Sequence, residues 1–132
     1  MSKSWLSTIS RSTYLYRLHL QPVSDPPNDH IQQTHFHRIW AAIKREALLV
    51  VSEGVATPEE VDAIFKDVLK SPKGPCEQMD VVGLDVVRDI ETHYQEVRTG
   101  LPTETTDLLG KMIAEGKLGV KSGSGFYDYK KD

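Results

Sequence analysis

Cysteine is almost missing from this sequence: Cys76 is the only one in 132 residues. A lone thiol excludes an internal disulfide and a cysteine-based zinc site within one chain, and it fits a reducing compartment. Long apolar runs are missing as well. The longest candidate, Ala47 to Val51, falls far short of the ~20 residues a membrane helix needs. There is no excess of positive charge; the net charge is −3, which argues against bulk attraction to nucleic acid or to an anionic membrane. A dinucleotide loop is also lacking. The one glycine-rich run, Gly119 to Gly125, lacks the third glycine and precedes no helix, so it reads as a turn that cannot hold a pyrophosphate. No cofactor and no metal are expected in this chain.

What is present suits a single domain with a modest core: 39% of residues are hydrophobic and 27% charged. Residues 1 to about 33 differ from the rest. No acid precedes Asp25, while Lys3, Arg11 and Arg17 lie among Ser2, Ser4, Ser7, Ser10 and Ser12. That composition is shared with mitochondrial presequences, although two arginines are few for one. An irregular, foreign leader is the preferred reading of 1–33. Tyr14, Tyr16, Leu18 and Leu20 alternate as in a short strand, and Pro22 to Asp29 form a breaker cluster read as loop.

From Thr34 to Asp132 the chain reads as an all-α domain. Ile39, Ile43, Ala47 and Val50 recur at helical spacing, widened by Trp40, Leu48 and Val51, which predicts a helix buried on more than one side and stopped by Gly54. Thr57-Pro58-Glu59-Glu60 predicts an N-cap, a proline at the first helical position and a capping box. Val61, Ile64, Phe65, Val68 and Leu69 are expected to line the inner face of that helix, and Ser71 to Pro75 to break it. A third helix is expected over Glu77 to Val97, its stripe running through Met79, Val82, Val86, Ile90, Tyr94 and Val97. Gly83 inside it suggests a close helix crossing. A short helix from Asp107 to Glu115 and a glycine-turn tail ending in Phe126 and Tyr127 complete the pattern.

Several separated motifs occur in a telling order: His37-Arg38-Ile39, Glu46-Ala47, Gly54 to Thr57, Pro72-Lys73-Gly74-Pro75, Asp80 to Asp85, and Gly119 to Tyr129. Together they resemble the C-terminal helical domain of the 3-hydroxyacyl-CoA dehydrogenase family, and similarly its lambda-crystallin/gulonate dehydrogenase branch. The resemblance implies a helical bundle like the C-terminal domain of 6-phosphogluconate dehydrogenase-like proteins. It implies a homodimer and one wall of an acyl-CoA cleft. In full-length relatives NAD and a catalytic His–Glu pair belong to a Rossmann domain, which this sequence does not contain. The chain is therefore expected to be the dimerisation and substrate-cleft part of an oxidoreductase of fatty acid metabolism, truncated and inactive alone. The alternative is a non-enzymatic dimeric interaction module or a partner of a full-length dehydrogenase. A cytoplasmic location is expected, with a mitochondrial one as the alternative.

The family pattern breaks at one position. His37 replaces the Asn that precedes the family arginine, and there it would sit at a helix start facing the cleft, where an imidazole can serve as a base near neutral pH. A solvated helix-end histidine is the blander reading. Arg38 and Lys73 are the candidate substrate contacts, the latter toward coenzyme A phosphates along with Lys121; structural or solvent-facing roles compete with each. Glu46 is read as a buried carboxylate paired with Arg38, Arg45 or a backbone N–H. Asp80 and Asp85 point to different sides of their helix, and Cys76 is read as packing.

Overall fold

A computed structural model describes residues 29–130, with side chains from Phe36 onward. The compact unit that carries the core begins at His37. Presequence and leader readings of residues 1–28, and the strand-like run at 14–20, lie outside the described residues. As expected, the architecture is all-α, with no strand among the described residues. Helix α1 is Asp29–Ser52, α2 Pro58–Leu69, α3 Pro75–Val82, α4 Leu84–Val97 and α5 Glu104–Ala114, followed by a short 3-10 turn, Val120–Ser122. None is long and apolar enough to cross a membrane.

Helix α1 begins at Asp29, earlier than the breaker cluster suggested, because no proline or glycine follows Pro27 until Gly54. Gly54 ends it with a positive φ of 69°. Its N–H reaches the Val51 carbonyl, and the Val55 N–H reaches that of Val50, the paired closure of a Schellman motif. The predicted start of α2 is found in full: Glu60 N–H donates to Thr57 Oγ1 at 3.2 Å and Thr57 N–H to Glu60 Oε2 at 2.8 Å.

The face of α2, however, differs from expectation. Val61 packs against the core as expected, but Ile64, Val68 and Leu69 are exposed, and the residue this helix fully buries is Asp62. Asp62 accepts from the amides of Cys76 and Glu77 at 2.8 and 2.9 Å. It thereby satisfies the N-terminal N–H groups of α3 that have no partner within their own helix. A Cβ on Gly74 would overlap the Asp62 carboxylate, so the glycine is required by this approach. Glu77 closes the same turn by accepting from the Gly74 N–H at 2.8 Å.

The expected single helix from Glu77 to Val97 is two helices. Gly83 adopts φ 104°, ψ 128°, outside the helical region, and the following amide of Leu84 leaves the ladder to bond the Leu118 carbonyl at 3.0 Å. What approaches Gly83 most closely are the side chains of Asp85 and Lys121, not a crossing helix backbone. The break resets the helical phase. Beyond it Leu84, Val87, Glu91 and Tyr94 are buried, while Val97 of the predicted stripe is exposed. The core itself gathers Leu48 of α1, Cys76 and Met79 of α3, Leu84 and Val87 of α4 and Leu109 of α5, with Phe126 and Tyr127 packed against it.

Candidate functional site

Two buried polar groupings stand out from this core. The first fastens the C-terminal tail. Asp80, fully buried, accepts from the amides of Phe126 and Tyr127 at 2.9 and 3.0 Å and from the Tyr129 hydroxyl at 2.8 Å. Tyr127 donates its hydroxyl to Asp62 at 2.7 Å. Burial raises the Asp80 carboxyl above its ordinary range, against these three donors and together with the nearby Asp62 charge. Burial, followed by the hydrogen bond to a carboxylate, also pushes both tyrosines upward. Phe126, Tyr127 and Tyr129 thus seal the tail as expected. The carboxylates that hold them were not legible, because residues 62, 80 and 127 are far apart in sequence.

The second grouping lies between α1, α4 and α5. Arg45 is buried and forks onto Glu91, Nε to Oε1 at 2.6 Å and Nη2 to Oε2 at 3.1 Å. Thr105 adds a hydroxyl contact to Glu91 at 3.4 Å. Tyr94, 5% exposed, has the Arg45 and Arg98 guanidinium carbons each 5.5 Å from its ring centre. Its hydroxyl is buried without a hydrogen-bond partner. Burial raises the Tyr94 phenol, while Arg98, Arg45 and Arg38 pull it back. Lys44 is buried beside this group; burial, with Arg45 adding to it and Glu91 opposing, brings its ammonium down to about 8.

The expected site residues fall as follows. His37 lies two turns inside α1 and not at a helix start, because the helix begins at Asp29. It is half-buried, and burial, then the Lys44 charge, lowers its imidazole from the ordinary value. A neutral imidazole can accept a proton. Arg38 is exposed beside it. Lys73 is exposed at the other end of the bundle, three residues before Cys76, which shares the core with Leu48. From His37 to Leu48 α1 rises about 17 Å, so the structure does not bring Lys73 to His37 and Arg38.

Glu46 is exposed; the buried carboxylate partner of Arg45 is Glu91. Lys121 pairs with Asp85 at 2.5 Å, and Cys76 is fully buried as packing. Sequence reading missed Lys44, Arg45, Glu91 and Tyr94 as a group. The available signal was Lys44-Arg45 standing between the apolar positions Ala41 and Leu48.

The glycine turn of the tail offers no place for a dinucleotide. A Cβ on Gly119 would strike the Asp80 backbone and one on Gly125 the Asp80 carboxylate. The loop is filled by a buried carboxylate, whose charge opposes a pyrophosphate. This loop therefore does not fit the pyrophosphate of a dinucleotide.

Residues 36–129 match the family model described as 3-hydroxyacyl-CoA dehydrogenase, C-terminal domain. A 3-hydroxyacyl-CoA dehydrogenase-like protein of Cochliobolus heterostrophus is 45% identical over 94 residues, covering 69% of this chain and 20% of that protein. A probable 3-hydroxybutyryl-CoA dehydrogenase of Deinococcus radiodurans is 40% identical over 96 residues, covering 70% and 34%. The crystal structure of (S)-3-hydroxybutyryl-CoA dehydrogenase from Ralstonia eutropha superposes with a TM-score of 0.60 at 36% identity, covering 71% of this chain and 33% of that one. The chain thus spans between a fifth and about a third of the length of these relatives.

Proposed function

We propose, since the chain belongs to the 3-hydroxyacyl-CoA dehydrogenase family through its C-terminal domain, that it forms the dimer contact and one wall of the acyl-CoA cleft in a 3-hydroxyacyl-CoA dehydrogenase of fatty acid metabolism. The match over 36–129, about a third or less of each relative, carries this reading. NAD would be held by residues outside those described here, in keeping with the misfit of the tail glycines. His37 and Arg38 present the cleft end of α1. There the neutral imidazole accepts a hydrogen bond from a substrate hydroxyl where a family Asn would stand, and Arg38 supplies positive charge. These 132 residues alone do not reduce NAD. A cytoplasmic location is proposed, with a mitochondrial one as the alternative.

The assay is direct. The purified chain is mixed with 3-hydroxybutyryl-CoA and NAD and followed by NADH absorbance, with acyl-CoA binding measured calorimetrically in parallel. Acyl-CoA binding without NADH formation is the expected result. Turnover by the chain alone would refute the division of labour, and no acyl-CoA binding would refute the cleft role.

A second reading, a dimeric interaction module, is favoured by the exposed Ile64, Val68 and Leu69 on α2. Apolar surface of that kind marks contact faces. Under this reading the chain sediments as a dimer and binds no acyl-CoA.

A further inference from the structure

Helices α1 and α4 run antiparallel through the second polar grouping. Leu48 shares the core with Leu84 and Val87 at the start of α4, Arg45 grips Glu91 further along, and the charge of Arg38 bears on Tyr94 further still. Seven residues back along α1 from the ion pair (45 − 38) lies Arg38, and a spacing of seven keeps a residue on the same helix face. Arg98 follows α4 in extended conformation, its N–H still bonded to the Tyr94 carbonyl and its guanidinium carbon 5.5 Å from the Tyr94 ring centre. Two arginines are therefore brought to one end of the α1/α4 pair, and both are exposed.

Glu91, the acid inside the grouping, is taken by both nitrogens of Arg45 and by Thr105. Glu96, the next acid along α4, lies 3.9 Å from His93. Among the described residues neither Arg38 nor Arg98 forms an ion pair with a carboxylate. Between them lies Tyr94, whose ring is 5.5 Å from the Arg98 guanidinium carbon and whose hydroxyl is buried with no acceptor. An unmet buried donor is destabilising in itself.

We infer that Arg38, Arg98 and the Tyr94 hydroxyl form a phosphate-binding subsite. Two guanidiniums match the charge of a phosphate monoester, roughly −1.5 to −2 near neutral pH. Their forked N–H groups supply more donors than a carboxylate's two oxygens use well, and a tetrahedral anion can also accept from the phenol. The source of the phosphate is either the free ion or the 3′-phosphate of coenzyme A. The site rests on the arginine pair; only coenzyme A as its source rests on the proposed dehydrogenase role.

Titrations of the full chain with inorganic phosphate, coenzyme A and dephospho-coenzyme A, followed by NMR and thermal denaturation, test it. Inorganic phosphate should shift the Tyr94 and Arg98 resonances and raise the melting temperature. Arg98→Gln and Arg38→Gln should each weaken phosphate binding about tenfold or more, the scale of a lost charge-assisted hydrogen bond. Arg88→Gln, also exposed on α4 but directed toward Gly110, should not. Tyr94→Phe should raise the melting temperature of the free chain and shrink the rise that phosphate produces.

Tighter binding of coenzyme A than of its dephospho form assigns the source to coenzyme A. Phosphate binding with equal weak affinity for both leaves the subsite in place and assigns it to the free ion. No phosphate-dependent shift overturns the subsite, as does an equal loss in Arg88→Gln or an unchanged affinity in Arg98→Gln.

Discussion

Replacing Glu91 with Ala removes the acceptor of a buried bidentate pair and leaves Arg45 desolvated. Arg45 and Glu91 side chains are 10% and 5% exposed, so water cannot take over the lost contact. Breaking such a pair on one side costs about 3–5 kcal/mol. Small domains are stable by only about 5–15 kcal/mol, so about a fifth or more of the total is at stake. The loss should be larger still through Lys44, whose charge Glu91 supports, and through the Thr105 hydroxyl, which loses an acceptor. The pair should also be worth little against apolar residues of similar size. Arg45→Met with Glu91→Leu should return stability to within about 1–2 kcal/mol of the starting protein. Urea unfolding followed by circular dichroism at pH 7, run as a double-mutant cycle, measures both. A loss below about 1 kcal/mol in Glu91→Ala, or strictly additive effects in the double variant, would refute the argument.

Gly74→Ala should destabilise by about 2 kcal/mol or more, because its methyl would displace Asp62 from the amides of Cys76 and Glu77; equilibrium unfolding reads this directly, and an effect under about 0.5 kcal/mol would show the approach to be soft. Lys44 gives a pH dependence. Its folded value of about 8 lies below the ordinary 10.5, so between those values the unfolded chain binds more protons at this group and Lys44 makes stability rise with pH. The Cys76 thiol, raised by burial, works the other way as the unfolded thiol ionises in the same range. The Lys44 contribution, on the order of 3 kcal/mol, is therefore read as the difference between the unchanged chain and Lys44→Met from about pH 8 to 10; two parallel stability–pH curves would refute it.

How much was legible in the sequence varied with the range of the interaction. Caps are local, so Thr57, Pro58 and Glu60 and the Gly54 stop were read correctly, and the all-α class followed from the same periodicity. Gly83 was noticed but misassigned. A glycine inside a helical pattern is compatible with either a crossing or a break, and the Leu84–Leu118 bond that decides for a break joins residues distant in sequence. The α2 stripe held at Val61, which packs against the core, and failed at Ile64, Val68 and Leu69 for a related reason. Amphipathic spacing identifies a face but not what covers it, and here the inward position is Asp62, held by amides of the next helix. At the candidate site His37 and Arg38 were singled out by motif, whereas Arg45–Glu91 required the two helices to be placed antiparallel.

The family and its helical character were determined by the sequence alone, because ordered motifs and i, i+3, i+4 patterns are properties of neighbouring residues. Tertiary structure decided which charges are buried, which carboxylate each amide or guanidinium meets, and that the glycine-rich tail closes on Asp80. Those outcomes depend on desolvation and on contacts between residues tens of positions apart. A linear pattern does not encode their distances.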